Sequence, residues 1–139
     1  MEKRVTGIGG IFFKAKSDHK KLQEWYATHL GIKNDPMQGM LFQWRSATDP
    51  NKVGETVFSI FKGDTKYIDP GKNEFMINFR VHNLEKLLEV LKAEGVEQSG
   101  ELQVYDYGKF AWILDPDGNK IELWEPVENF EFGGGMEME

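Results

Sequence analysis

The chain has 139 residues, 40% of them hydrophobic and including ten Phe, four Trp and four Tyr, which suits a single domain able to build its core without disulfides or a structural metal. Seventeen Lys and Arg stand against 23 Asp and Glu, a formal charge of −6 with no basic cluster, and this argues against a nucleic-acid or anionic-membrane partner. The lack of cysteine excludes disulfides and thiolate metal sites and fits a reducing compartment.

The opening Met-Glu-Lys-Arg lacks the apolar run of a signal peptide, and no stretch approaches the roughly 20 apolar residues of a membrane span, so a cytoplasmic location is expected. Residues 5–15 read as a first strand, with Ile11, Phe13 and Ala15 on one face and Gly10, Phe12 and Lys14 on the other. A helix follows, capped by Ser17 or Asp18, with Leu22, Trp25, Tyr26, His29 and Leu30 at helical spacing until Gly31 offers a left-handed stop. Residues 40–45 and 53–62 are strand-like runs separated by Asp49-Pro50-Asn51, but apolar residues occupy both parities and leave their inward face open. Residues 63–73, with Gly63, Pro70, Gly71 and Asn73, form a loop near the middle of the chain.

Beyond that loop the order repeats. Residues 75–81 alternate apolar Phe75, Ile77, Phe79 and Val81 against Met76, Asn78 and Arg80, and Asn83 caps a helix carrying Leu84, Leu87, Leu88 and Leu91 until Gly95. Two copies of strand, helix, strand, strand, strand account for the length better than two independent domains, because one such unit leaves a sheet face uncovered. The fold class is therefore α+β: two tandem βαβββ modules, about 5–62 and 74–127, whose mixed sheets form a cleft, with helices on the outer faces. Residues 1–127 make one domain, and 128–139, with Gly133-Gly134-Gly135 and alternating Met and Glu, read as a flexible acidic tail.

The strongest local signal is the hairpin over residues 110–126. Its arms are rich in aromatic and branched residues, and Asp115-Pro116-Asp117-Gly118-Asn119 lies between them. Ile121, Glu122 and Leu123 alternate, so Glu122 points to the face opposite its apolar neighbours. Asp106 and Tyr107 before Gly108 make the turn into this hairpin.

The run Asp115-Pro116-Asp117-Gly118-Asn119-Lys120-Ile121-Glu122-Leu123 resembles the vicinal oxygen chelate superfamily, as do His29-Leu30-Gly31 after Leu22, Trp25 and Tyr26, Phe79-Arg80-Val81 with Leu84, and Leu91 to Val96. That superfamily includes glyoxalases, bleomycin-resistance proteins and extradiol dioxygenases, all built from paired βαβββ modules, and the resemblance covers roughly residues 5–127. In its metal-using members, His or Gln from the first strand of each module and Glu from the last strand converge on one cleft. Carried over residue by residue, the Glu falls on Glu122, while the first-strand positions fall on or beside Gly10 and near Met76. Residues 57–61 offer only Val, Phe, Ser and Ile types. The resemblance also implies pairing into a homodimer, with clefts closed within one chain or shared between two.

The three histidines do not complete a metal set. His19 lies at a helix start, His29 suits the negative end of its helix, and His82 falls one position outside the cleft-facing alternation. No metal or other cofactor is therefore expected; the alternative is a divalent ion at Glu122. Gly7-Ile8-Gly9-Gly10 is not a dinucleotide fingerprint, and its glycines either widen the cleft or mark a bulge or close packing.

The same alternation turns Phe12, Lys14, Met76, Asn78, Arg80, Trp112, Lys120 and Trp124 toward the cleft with Glu122, beside Phe110 and Leu114: a largely apolar wall with a few convergent polar groups. Two functions follow. In one, a metal-free cleft binds a small aromatic or amphipathic molecule, with Trp112 and Trp124 for stacking, Asn78 for orientation and Glu122 for a cationic group. In the other, a glyoxalase-type lyase or dioxygenase-like enzyme uses Glu122 as catalytic base or as a ligand to a water-held metal.

Overall fold

Alternating side chains that need cover on one face become strands, and the two stretches of helical spacing become the helices that cover them. The computed structural model describes residues 4–33 and 40–127 of the chain. The elements are β1 (Val5–Lys14), α1 (His19–Leu30), β2 (Met40–Arg45), β3 (Val53–Phe61), β4 (Phe75–Val81), α2 (Leu84–Ala93), β5 (Glu97–Gln98), β6 (Gln103–Tyr105), β7 (Gly108–Leu114) and β8 (Lys120–Pro126). The expected acidic tail lies outside the described residues.

All the strands join one mixed sheet in the order β2-β3-β1-β4-β8-β7-β5, with β6 paired to β7. The halves meet edge to edge where β1 and β4 run antiparallel, and in each half the first strand pairs in parallel with the last, β1 with β3 and β4 with β8. The expected α+β architecture with paired modules is the one observed. Two short strands, β5 and β6, were not read from the sequence; β6 meets β7 across Asp106 and Tyr107, with Tyr105 opposite Gly108.

Both helices lie on the same face of the sheet. Leu84, Leu87, Leu88 and Leu91 of α2 pack against Val81, Ala111, Ile113, Ile121 and Leu123. Leu22 and Tyr26 of α1 pack against Phe13, Ala15, Met40, Phe58 and Ile60. Leu84 is fully buried, and removing a side chain of that size from water contributes about 2 kcal/mol. The Asp18 carboxylate accepts from the amides of Lys20 and Lys21 at the start of α1, and Gly31 ends that helix at φ 71°. Asn83 caps α2 by accepting from the Lys86 amide.

The face opposite the helices carries Val57, Gly10, Asn78, Glu122 and Trp112 as one row across β3, β1, β4, β8 and β7. This settles the parity left open for the later strand of the first half: Val57 and Phe61 pack with Phe12 on this face, while Phe58 and Ile60 face α1. Trp44 of β2 and Trp124 of β8 both reach the guanidinium of Arg80 on β4, with ring centres 5.5 and 4.9 Å away. Contact between strands so far apart in the sheet order means that this face is concave.

Candidate functional site

Glu122 stands in the middle of β8, brought there by the register that the 115–119 turn imposes. Asp115 accepts from the amides of Asp117 and Asn119 and from the Asn119 side chain, which holds its carboxyl below the usual carboxylate range, and Gly118 takes φ 84°. Leu114 then faces Lys120, and Trp112 faces Glu122.

The Glu122 side chain is 3% exposed and accepts from three neutral donors: Asn78 Nδ2 at 2.6 Å on Oε1, and Trp112 Nε1 at 2.9 Å and the Tyr67 hydroxyl on Oε2. Burial first, then the charge of Glu122 and the bond to it, push the Tyr67 phenol well above its ordinary pKa, so it remains a donor. Tyr67 comes from the loop between β3 and β4. That loop is tied to the hairpin turn: the Lys72 amide donates to Gly118 O at 3.1 Å, and the Asn73 side chain donates to Asn119 Oδ1.

Next to Tyr67, Lys120 Nζ donates to the Tyr67 carbonyl at 2.6 Å and lies 5.2 and 5.4 Å from the ring centres of Tyr67 and Trp112. Burial lowers its pKa, against the opposing charges of Glu122 and Asp69. Ile68 follows Tyr67 into the same face and is buried with Phe12 and Met76, flanked by Phe61.

The other end of the face centres on Arg80, with its guanidinium between the Trp44 and Trp124 rings. Trp124 stacks on Phe110, which meets the stacked pair Tyr105 and Tyr107 edge on. Burial lowers the Arg80 pKa, and the charge of Glu55, 2% exposed on β3, opposes that shift. Arg80 Nη1 and Asn78 Oδ1 are buried and have no hydrogen-bond partner among the described residues.

The family model described as Glyoxalase/Bleomycin resistance protein/Dioxygenase superfamily matches residues 12–123. The chain belongs to that superfamily. Among solved structures, methylmalonyl-CoA epimerase from Mycobacterium tuberculosis is 19% identical with a TM-score of 0.59, covering 91% of this chain and 92% of its own. The Mn(II)-bound glyoxalase from Novosphingobium aromaticivorans is 19% identical with a TM-score of 0.55, covering 90% of this chain and 40% of its own. The 2,3-dioxygenase LapB from Pseudomonas sp. KL28 is 22% identical with a TM-score of 0.52, covering 96% and 44%. At these identities the likeness is one of fold. Comparison with curated protein sequences found no match.

Superfamily membership raises the question of a metal beside Glu122, and the donor set does not fit one. The positions that the resemblance assigns to further ligands are Gly10, opposite Asn78, and Met76, opposite Phe12. The groups that reach the carboxylate point N–H and O–H hydrogens at it, where a cation would need lone pairs. No group of three or more His, Cys, Asp and Glu that could hold a metal occurs among the described residues.

Of the residues expected in the cleft, Asn78, Trp112, Lys120 and Glu122 converge, and Arg80 joins them through Trp124. Phe12 at 8% exposure, Met76 at 0% and Trp124 at 3% serve mainly as packing beneath them. Lys14 corresponds to Phe61 on the next strand and makes no side-chain hydrogen bond to the Glu122 group. Three protein donors already hold the oxygens of Glu122. His82 is exposed beyond the end of β4.

Reading the sequence missed Tyr67, Glu55 and Trp44. Tyr67-Ile68, an apolar pair inside a Gly- and Pro-containing loop, was the available signal for the first. Glycine placement was the signal for Trp44, since its ring covers the positions where Gly7 and Gly54 would carry a Cβ. Gly9 likewise lies against Asn78, Arg80 and Trp124, and β1 is bulged between Ile8 and Gly10, so the close-packing and bulge reading of these glycines holds.

Proposed function

We propose that the protein binds a small aromatic or amphipathic molecule on the concave face without the help of a metal. The observation that carries this reading is the buried Glu122 carboxylate, closed by Tyr67, Trp112 and Asn78 instead of by cation ligands, at the foot of aromatic walls. Such a surface, mostly apolar with a few oriented polar groups, is what small-molecule sites are made of. Glu122 then acts as a fixed acceptor and Trp112 as an apolar surface, while Arg80 and Asn78 supply a donor and an acceptor with unused capacity.

Metal analysis of the purified protein, followed by titration with p-cresol, benzylamine and benzoate before and after chelation, tests the proposal. Saturable binding of at least one probe, read from Trp fluorescence and a thermal shift and unchanged by chelator, is the expected result. Stoichiometric Zn, Ni, Mn or Fe that disappears in Glu122→Ala would overturn it in favour of a metal-dependent lyase or dioxygenase-like enzyme. Failure of all three probes to bind would overturn it as well.

A further inference from the structure

The Tyr67 side chain is a component of the site and also its present occupant. Its ring stands edge on to Phe61, with centres 5.9 Å apart at 89°, and edge on to Trp112 at 6.2 Å and 88°. Lys120 lies over the ring, and the hydroxyl donates to Glu122. These neighbours come from β3, β7 and β8, whereas Tyr67 itself comes from a connecting loop and remains 44% exposed. The slot is thus shaped by the sheet, and the loop inserts into it a phenol that enters from the solvent side.

Charge narrows the chemistry further. Lys120 and Glu122 are of opposite sign on one side, as are Arg80 and Glu55 on the other. An added ionic group would leave one charge uncompensated in a poorly hydrated place, which is costly. Among the groups with spare capacity are Arg80 Nη1, a donor, and Asn78 Oδ1, an acceptor, and both can be met by neutral polar substituents.

Resting on the metal-free binding reading, we propose that the ligand is an uncharged hydroxylated aromatic molecule, a phenol in the simplest case, which binds by taking the seat of the Tyr67 side chain. Its ring enters between Phe61 and Trp112, its hydroxyl donates to Glu122, and the Tyr67 side chain turns outward while the loop that carries it stays tied to the hairpin turn. Tyr67 sets the affinity as a tethered competitor: a free phenol binds only in the fraction of molecules whose slot Tyr67 has left, so its apparent affinity falls with that fraction.

The test uses p-cresol, which is the tyrosine side chain itself, and toluene, which lacks only the hydroxyl. With the fold verified by circular dichroism and a cooperative melt, Tyr67→Ala is expected to bind p-cresol at least about tenfold tighter than the unaltered protein, because the competitor is gone. In that variant p-cresol should bind about tenfold tighter than toluene, since the donated bond ends on a charged oxygen. Adding Glu122→Gln should shrink that preference.

Tyr67→Phe guards against a misfolded Tyr67→Ala protein: it keeps the ring and weakens the competitor, so p-cresol should bind several-fold tighter than in the unaltered protein. A folded Tyr67→Ala protein that binds p-cresol no better than toluene, or affinities equal in all three proteins, overturns the proposal. If benzylamine or benzoate still binds in that case, the phenol assignment falls while metal-free binding stands.

Discussion

Among the described residues, Glu122 and Glu55 are carboxylates buried on the concave face, and they are held in different ways. Glu122 on β8 is met by three neutral donors from β4, β7 and the connecting loop. Glu55 on β3 lies in the field of the Arg80 guanidinium, which is itself clasped by two tryptophans. A buried carboxylate held by three directed hydrogen bonds keeps a fixed position as one node of a network, whereas the attraction between opposite charges fixes no direction. The Glu122 end is therefore the more specific of the two and the Arg80 end the more adaptable.

The sharpest way to break this comparison is Glu122→Ala. It strips one shared acceptor from Asn78, Trp112 and Tyr67 and should lower stability by about 3 kcal/mol, measured by urea denaturation. A loss below about 1 kcal/mol would mean that water already serves those donors. Arg80→Met comes next: it leaves Glu55 without its compensating charge while keeping an apolar stem against Trp44 and Trp124. For a partly exposed pair, about 2 kcal/mol is expected.

Tyr67→Phe is the mildest, at about 1 kcal/mol, and it sharpens the comparison through pH. The folded-state pKa of Tyr67 lies above its ordinary value of 10.0, so the folded chain retains a proton that the unfolded chain releases. The stability this provides is present in full below about pH 10 and is lost as pH rises through the folded value. The lowered pKa of Lys120 works the other way, since the unfolded chain then holds the extra proton and stability rises with pH. Denaturation followed from pH 8 to 11 should thus show a shallower alkaline decline in Tyr67→Phe than in the unaltered protein.

Strict alternation made half of this site readable in advance. Asn78 and Arg80 on β4, Trp112 on β7 and Glu122 on β8 each sit between apolar residues that point to the helix side, and Lys120 lies two positions before Glu122, so their direction followed from the period of two. The Asp115–Asn119 turn set the register between β7 and β8. On β3 that logic had no purchase, because Val57, Phe58, Ile60 and Phe61 are apolar on both faces, and Glu55 was hidden with them. Tyr67 was out of reach for another reason: it arrives from a loop whose glycines and proline mark a break in regular structure but carry no periodicity. The glycines of β1 could be read two ways until Trp44, Arg80 and Asn78 were seen to occupy the space above them.

That strand also constrains how the site could change. A Cβ on Gly10 would come within 2.5 Å of the Phe12 ring and 3.3 Å of the Val57 carbonyl, and Phe12 is itself stacked on Phe61 with ring centres 5.4 Å apart. A histidine at Gly10, the position that the resemblance assigns to a first-strand ligand, would therefore require the Phe12 ring to shift, and Phe12 packs with Met76 and Ile68. Any side chain at Gly10 is thus coupled to one aromatic ring, and through it to the packing of the neighbouring strand.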